Sequence, residues 1–162
     1  MNIHLAGKPL SISGFTTSDI ENIVALEEAC FQNPWHKVSF ENELHIPDAG
    51  GFVAKIGDCG KVSGYILFRT ILDEMHILKL ATDPVWRNQN IASLLIQKAV
   101  ATARASQCDR VFLEVRTSNK AAIGVYKKNG FTVNDIRKGY YAPDDDALMM
   151  EMQTQSLQGG IS

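Results

Sequence analysis

Residues 83–95 (DPVWRNQNIASLL) place one basic side chain, Arg87, just before an apolar run with helical spacing. The first amides of a helix have no acceptor within the helix, and the helix dipole adds partial positive charge at that end. Such an end suits a diphosphate, and an arginine beside it adds a charged donor. The residues leave a second interpretation open, which is an ordinary turn before an ordinary helix with a solvated arginine.

Glycine is missing from this loop, although loops that bring backbone and phosphate together usually contain it. Asn90 and Ala92 stand there instead. Asparagine tolerates the left-handed backbone conformation better than most other residues with a side chain, so we expect Asn90 to hold the turn. The dinucleotide fingerprint G-x-G-x-x-G is absent, and a nicotinamide cofactor is therefore not indicated.

Glu114 is the second candidate for chemistry, because it lies in the middle of the predicted strand RVFLEVR, where apolar residues alternate with it. An unpaired carboxylate in apolar surroundings is costly, and desolvation moves carboxyl groups toward the range of a general base. The alternative is a salt bridge to Arg116 or Arg69 on a solvated face of the sheet.

The aromatic residues least explained by periodicity are Trp35, which follows an Asn-Pro turn, and the pair Tyr140 and Tyr141. Aromatic side chains in loops commonly pack into the core, and they also bind ligands; both interpretations stay open here. An acidic run, residues 144–146, lies close by in sequence. It is typical of a solvated turn, and it would also attract a basic partner.

Local patterns predict an alternation of helices and strands around these residues. A strand, PLSISGF, precedes a helix that a capping box of Ser18 and Glu21 opens, and a short second helix follows NPW. Three segments alternate as strands and are separated by turn signals, as in an antiparallel meander: GFVAKIG, KVSGYILFRTI and EMHILKLATD.

The second half of the chain begins with the loop and a helix from about Asn90 to Ala105. A strand (DRVFLEVRT), a helix (NKAAIGVYKKNG) that Gly130 ends, and two further strands (FTVNDIRKGYY and ALMMEMQ) follow. The strand–helix–strand order around the loop implies one parallel pairing through a right-handed crossover. Ligands at such a crossover bind beyond the carboxyl ends of the strands, which is where the loop lies.

Composition narrows the possible partners. The chain has 162 residues, 45% of them hydrophobic, and a formal net charge of -2, which argues against nucleic-acid binding through bulk electrostatics. No stretch approaches the roughly 18 apolar residues that a membrane span needs. The N-terminal residues show no basic segment followed by an apolar core, so we expect no signal peptide.

Cysteine usage favours a reducing, cytoplasmic location, because three cysteines at distant positions do not form a disulfide framework: Cys30, Cys59 and Cys108. The four histidines show no metal-ligand spacing with them, so no metal site is predicted: His4, His36, His45 and His76. We expect one domain over residues 1–153 and a disordered polar tail over residues 154–162.

Four segments of the chain resemble the GNAT superfamily of N-acetyltransferases, and within it the bacterial ribosomal-protein alanine N-acetyltransferases: NPW, LKLATDPVWRNQNIASLLI, VFLEVRTSNKAAIGVYKKNGF and RKGYYAPDDDALMMEM. The likeness runs from about Phe15 to Met152. Its most specific part, LEVRTSNKAAIGVYKKNGF, matches L-E-V-R-x-S-N-x-x-A-x-x-x-Y-x-x-x-G-F without a gap. The resemblance implies an α/β GNAT fold, with a mixed sheet of about six to seven strands, one parallel pairing at the cofactor cleft and about four flanking helices.

The resemblance also implies acetyl-CoA as cosubstrate, without a metal. The superfamily's coenzyme A loop, Q/R-x-x-G-x-G/A, corresponds to Arg87, Asn88, Gln89, Asn90, Ile91 and Ala92. Its basic start and final small residue match, while asparagine replaces the central glycine. Backbone groups near Leu80, Ala81 and Thr82, freed by a splay of that strand, are implied to bind the pantetheine amides and the acetyl oxygen. Asn119, which the residues alone predict as a helix cap, is implied to contact the pantetheine arm.

Catalytic roles follow from the resemblance in the same way. Glu114 is implied to deprotonate the acceptor amine, directly or through water, and Tyr126 to protonate the leaving thiolate; the spacing of Tyr126 is equally typical of a core aromatic. Trp35, Tyr140 and Tyr141 are implied to surround the acceptor. That acceptor is a protein N-terminus, with alanine of a small-subunit ribosomal protein as the implied natural substrate.

Two other functions remain open from the sequence. The same catalytic half would serve an acetyltransferase of lysine side chains or small amines. A non-catalytic acyl-CoA sensor is favoured by Asn90 in the glycine position, and disfavoured by the presence of both Glu114 and Tyr126.

Overall fold

A computed structural model of the chain describes residues 3–58 and 60–154. Of the predicted disordered tail, residues 155–162 lie outside the described residues, as does Cys59. Thr154, which we assigned to that tail, is buried; its amide donates to the carbonyl oxygen of Asp109 at 3.0 Å, and its own carbonyl accepts from Arg104 Nε at 2.8 Å. Thr154 therefore belongs to the packed part of the chain and not to the predicted tail.

The helices and strands follow one another in this order: β1 (Ile3–Leu5), β2 (Lys8–Gly14), α1 (Ile20–Cys30), α2 (Lys37–Glu43), β3 (Ala49–Ile56), β4 (Val62–Ile71), β5 (Glu74–Thr82), α3 (Ile91–Ala105), β6 (Arg110–Arg116), α4 (Lys120–Lys128), β7 (Thr132–Ala142) and β8 (Asp145–Gln153). Within the described part of the chain the strands form one sheet, in the order β1-β2-β3-β4-β5-β6-β8-β7. The α/β class, the four helices and the mixed sheet are confirmed.

The sheet has eight strands, against the six to seven predicted. The additional strand is β1, which pairs antiparallel with β2. A strand of three residues is too short to show an alternation. The turn that joins it to β2 uses positive φ angles at Ala6 (51°) and Gly7 (74°), as tight hairpin turns require.

Contacts divide the described residues into two compact units, one within residues 1–68 and 79–99 and the other within residues 69–78 and 100–162. Strands β4 and β5 contribute residues to both units. The single domain over residues 1–153 stays a prediction.

The first unit is built around the packing of α1 and α2 on the strands. Its core consists of Ile20, Ile23, Leu26, Phe40, Val53, Val62, Tyr65, Leu67 and Ala81. The capping box lies two residues earlier than predicted, because Thr16 and Asp19 form it, ahead of a short 3-10 turn. The Thr16 amide donates to Asp19 Oδ2 at 2.9 Å. Asp19 is buried there and pairs with Lys55 at 2.8 Å, a tertiary contact that local spacing does not reveal.

Helix α3 packs closely on the strands of the first unit. A Cβ atom at Gly64 of β4 would lie 3.0 Å from the carbonyl oxygen of Ala81 and 3.0 Å from Cγ2 of Ile91. Such separations are tighter than ordinary van der Waals contact, so a side chain at this position would require its neighbours to shift by a few tenths of an ångström. The close approach fixes the start of α3 beside the last residues of β5.

The second unit contains the parallel pairing. Glu74–Ile77 of β5 pair with Arg110–Leu113 of β6, and both strands continue beyond the last registered pair. β8 pairs antiparallel with β6 on one side and with β7 on the other. The pairing of β7 with β8 is irregular between Arg137 and Ala142.

Candidate active site

The loop before α3 has the backbone conformation that glycine usually provides. Asn88 and Asn90 both have a φ of 64°. The carbonyl oxygen of Asn90 accepts the amide of Leu94 at 3.0 Å, which starts the helical hydrogen-bond series. The prediction that Asn90 holds the turn in the left-handed conformation is confirmed, since asparagine tolerates it better than most side chains.

Asp83 anchors the other end of this loop. Its amide donates to the carbonyl oxygen of Ser63 at 2.8 Å, and its side chain accepts the amide of Val85 at 3.0 Å. The four residues 87–90 are exposed, and the guanidinium of Arg87 lies 3.8 Å from Cys30 Sγ. The side chain of Ile91 is buried, so it offers a ligand only its backbone amide.

At the end of β5 one buried hydroxyl lacks a partner. Thr82 Oγ1 is the one buried side-chain nitrogen or oxygen, among residues 3–58 and 60–154, that makes no hydrogen bond. The carbonyl oxygen of the same residue accepts the thiol of Cys30 at 3.5 Å. A buried hydroxyl without a partner is costly, so the site fits a ligand that supplies one. Together with Arg87 and the start of α3, this hydroxyl makes a donor set that fits the phosphates and amides of a coenzyme A thioester.

Glu114 lies on the more open face of β6, and 35% of its side-chain surface is exposed. The expected desolvation of its carboxylate is therefore wrong. An ion pair is present, as the alternative interpretation held, but its partner is Arg137 at 3.8 Å. Arg116 instead pairs with Asp145 at 2.8 Å. Because Arg137 belongs to β7, two strands away in the sheet, local sequence could not indicate it.

A cavity of about 520 Å³ opens on the face of the second unit that carries Glu114. Side chains of β5, β6 and β7 line it, among them Glu74, His76, Glu114, Arg137 and Tyr141. Burial, and then the charge of Glu114, raises the pKa of Tyr141. Glu114 thus faces a space that admits water and a polar ligand, and Tyr141 shares that space.

Tyr140 and Tyr141 contact each other with ring centroids 5.0 Å apart. The ring of Tyr140 is half-exposed, whereas Tyr141 stacks on the guanidinium of Arg116 at 4.3 Å. Two carboxylates of the acidic run next to them form hydrogen bonds within the chain. Asp145 accepts from Arg116, and Asp146 accepts the backbone amide of Gly139. The hydrogen bond from Arg116 lowers the pKa of Asp145.

Tyr126 is 6% exposed and packs edge-on against Phe131 of the same unit, with ring centroids 5.6 Å apart. Burial raises the pKa of Tyr126, and the nearby Tyr141 adds to this shift. The phenol is therefore protonated at neutral pH, which a proton donor requires. Its core packing and its implied role as an acid are compatible.

Asn119 caps α4, as the residues predicted, since its side-chain oxygen accepts the amide of Ala122 at 3.2 Å. Trp35 is half-buried between α1 and α2; its ring packs 5.5 Å from that of Phe40. The backbone amide of Trp35 donates to Glu27 Oε1 at 3.1 Å.

Sequence reasoning missed Glu27 itself, a fully buried carboxylate on α1 that Lys79 and Tyr65 also contact. The signal was present in the helical spacing. Ile20, Ile23 and Glu27 fall on one face of α1, and a carboxylate on an apolar face calls for a buried partner.

Within the described ranges, no group of three or more metal-binding side chains could hold an ion. None of the helices in these ranges is both long enough and apolar enough to cross a membrane.

Residues 20–131 of this chain match the Acetyltransferase (GNAT) family. A Bacillus subtilis (strain 168) protein provisionally named ribosomal protein bS18-alanine N-acetyltransferase is 33% identical over 141 residues, which cover 86% of this chain and 93% of the relative. The ribosomal protein bS18-alanine N-acetyltransferase of Escherichia coli (strain K12) is 26% identical over 148 residues, 88% of this chain and 96% of that one.

A solved structure shares the fold. The crystal structure of the ribosomal-protein-S18-alanine N-acetyltransferase from Escherichia coli superposes with a TM-score of 0.84 at 24% identity, covering 94% of this chain and 99% of that one.

Proposed function

Since this chain belongs to the GNAT family of acetyltransferases and uses acetyl-CoA, we propose that it acetylates the N-terminal α-amine of a protein. The proposed natural acceptor is the alanine of ribosomal protein bS18. The observation that carries this proposal is the likeness to relatives named for that acceptor, one of them 33% identical over 141 residues. The cytoplasmic location inferred from the cysteines stays a prediction.

Acetyl transfer to an amine needs a neutral amine, a stabilised carbonyl oxygen and a proton for the departing thiolate. The thioester of acetyl-CoA supplies the activated acyl group. In the proposed mechanism Arg87 and the first amides of α3 hold the pyrophosphate, with the left-handed Asn90 shaping the turn. Thr82 Oγ1 and the backbone from Leu80 to Thr82 bind the pantetheine arm and the acetyl oxygen; the unpaired hydroxyl supports this assignment.

Glu114 is the proposed general base. Its exposed carboxylate faces a cavity that admits water, so it can take the ammonium proton directly or through a water molecule. An α-amine has a pKa of about 8, against about 10.4 for lysine, so a larger fraction of it is already neutral near neutral pH. The ion pair with Arg137 orients Glu114, although an exposed pair of this kind adds little to stability.

Tyr126 is the proposed general acid, because its phenol is protonated at neutral pH and can donate that proton to the departing thiolate. Trp35, Tyr140 and Tyr141 are the proposed acceptor-binding residues, and Asn119 a further contact of the pantetheine arm. Tyr141 shares the cavity with Glu114, which supports its role.

A substitution at Glu114 tests the mechanism. We expect Glu114→Gln to lower kcat by roughly 100-fold or more, because general-base catalysis contributes on that order. Calorimetry should show that acetyl-CoA binding is nearly unchanged. The matched control is Glu74→Gln, a carboxylate that lines the same cavity and pairs with Arg110 at 3.0 Å. If the Glu114→Gln variant kept full turnover, Glu114 would not be the general base.

The acceptor is tested with three substrates. An alanine-started peptide with the bS18 N-terminal sequence should be acetylated, whereas the same peptide with a blocked N-terminus and a lysine should not be, nor should polyamines. Preference for lysine or polyamines would favour the alternative that the chain acetylates side chains or small amines. Binding of acetyl-CoA without any product would favour a sensor. The left-handed backbone at Asn90, which is the conformation that glycine usually provides, gives that alternative no support.

A further inference from the structure

Glu27 is a carboxylate inside the apolar core of the first unit. Its side chain is completely buried, next to core residues of α1 and β4. A lone carboxylate in such a place would be strongly destabilising, so its partners decide what it does.

Three donors from three different segments converge on this carboxylate. Lys79 Nζ of β5 lies 2.5 Å from Oε1, and the backbone amide of Trp35 lies 3.1 Å from the same oxygen. The hydroxyl of Tyr65 on β4 donates to Oε2. Burial, and then the charge of Glu27, raises the pKa of Tyr65, so the phenol keeps the proton that it donates.

The lysine that pairs with Glu27 also contacts the indole ring of Trp35. Lys79 Nζ lies 5.1 Å from the centroid of the Trp35 ring and 4.3 Å from that of Phe31. The lysine is 14% exposed, so this cation is largely desolvated and its contacts with the rings are correspondingly stronger. Backbone and ring of Trp35 are thus both held by one buried ion pair.

Stability alone does not account for this arrangement. Replacement of a buried ion pair by apolar side chains of similar volume is often neutral or stabilising. The hydrogen bonds and the ion pair of Glu27 instead fix the relative positions of the segments that carry them. Glu27 can satisfy its donors only when the segment between α1 and α2 lies in one position relative to Lys79, the residue just before Leu80–Thr82 in β5.

We propose that Glu27, Tyr65 and Lys79 are positioning residues, which hold Trp35 and the segment between α1 and α2 in the arrangement that binds the acceptor. This inference rests on the proposed function, in which Trp35 contacts the acceptor. Its consequence is specific: loss of the network weakens acceptor binding and leaves the cosubstrate and the chemical step largely unaffected.

Two variants test the network without leaving a buried charge unpaired: the first removes one of its hydrogen bonds, and the second removes its ion pair. Tyr65→Phe removes one hydroxyl and keeps the ring. The double substitution Glu27→Met with Lys79→Met replaces the ion pair by apolar chains of similar length. We expect each to raise KM for the alanine-started peptide by about fivefold or more, the factor that one lost hydrogen bond represents, with KM for acetyl-CoA and kcat changed less than about twofold.

A matched control is Asp19→Asn. Asp19 is also buried and pairs with a lysine, Lys55, at 2.8 Å, but it has no contact with Trp35 among the bonds described. It should lower the melting temperature and leave the acceptor KM unchanged. A purely structural role of Glu27 would make its variants behave like this control.

Fluorescence gives a readout that does not depend on activity. The chain has two tryptophans, so in a Trp86→Phe background the emission reports Trp35 alone. We expect Tyr65→Phe and the double variant to make Trp35 more accessible to acrylamide quenching. Unchanged quenching, an unchanged acceptor KM, or equal rises of KM for both substrates would overturn the inference.

Failure of this inference and failure of the proposed function give different results. If no protein N-terminus is acetylated by the unmodified chain, the proposed function fails, whatever the quenching shows. If the alanine-started peptide is acetylated normally by the network variants, the proposed function stands and the positioning role is overturned.

Discussion

At Asn90 the backbone conformation and the side chain have separate consequences. The φ of 64° is the conformation for which glycine is favoured at this loop position, and asparagine reaches it at a modest cost. Asn88 adopts the same φ two residues earlier. The turn before α3 therefore keeps its shape without a glycine, and the side-chain amide is an added polar group at the predicted phosphate site.

Substitutions at Asn90 separate these two consequences. Asn90→Gly keeps the conformation and should leave acetyl-CoA affinity within about threefold of the starting value. Asn90→Ala must force a methyl group into the left-handed region at a cost of about 1 to 2 kcal/mol, so it should weaken acetyl-CoA binding about fivefold or more and lower the melting temperature. Calorimetry and thermal unfolding measure both. Equal affinity of the two variants would show that the conformation of this turn does not govern binding.

Tyr126 is a core residue with a proposed chemical role, and one substitution distinguishes the two. Tyr126→Phe keeps the packing against Phe131 and removes only the hydroxyl. We expect kcat to fall roughly 100-fold, the scale of general-acid catalysis, with a change in melting temperature of only a few degrees. Stopped assays with the alanine-started peptide give the rate. A fully active Tyr126→Phe enzyme would leave Tyr126 as packing alone.

At the scale of elements, α4 begins at a cap that belongs to the candidate site as well. Asn119 accepts the Ala122 amide through its side-chain oxygen, a contact that aspartate can also make. Only asparagine adds an amide donor. Different substitutions of Asn119 can therefore remove the helix cap and the proposed pantetheine contact separately.

We expect Asn119→Ala to cost about 1 kcal/mol of unfolding free energy through loss of the cap. Asn119→Asp should keep that free energy and raise KM for acetyl-CoA, because the amide donor is gone and a negative charge takes its place. Denaturant unfolding and steady-state kinetics check the two effects. A wild-type KM in Asn119→Asp would contradict the contact with the cosubstrate.

At the scale of the whole molecule, the single-domain prediction has a direct test in cooperativity. Both tryptophans, Trp35 and Trp86, lie in the first unit, so their fluorescence follows that unit, whereas far-UV circular dichroism follows all helices and strands. If residues 1–153 fold as one domain, the two signals should change together in urea, as two-state unfolding requires. Separate midpoints would show two domains.

Much of the fold follows from local sequence. The periodicity of α1, α3 and α4, the alternation in RVFLEVR and the strand–helix–strand order around Arg87 predicted the α/β class, four helices and one parallel pairing, all of which are confirmed. These features depend on the repeat of apolar residues, which a chain carries along its length. The three-residue β1 was not predicted, because three residues are too few to show an alternation of apolar and polar side chains.

In the candidate site, too, some features were predictable from local sequence and others were not. The loop at Asn90 and the cap at Asn119 were predictable, because backbone conformation and capping depend on neighbouring residues. The exposure of Glu114 and its pairing with Arg137 were not, since a partner on another strand decides them. The capping box at Thr16 has the same local spacing as the one predicted at Ser18, and burial of Asp19 beside Lys55 accompanies the one that forms.

By itself, then, the sequence determined the order of the helices and of every strand but β1, the turn before α3 and, through its resemblance, the family. Only the tertiary structure decided which charges meet: Glu27 with Lys79, Glu114 with Arg137, Arg116 with Asp145. The physical reason is that local structure depends on residues a few positions apart, whereas a side chain's electrostatic partner is set by how distant segments pack, and the partners within these pairs are 52, 23 and 29 positions apart.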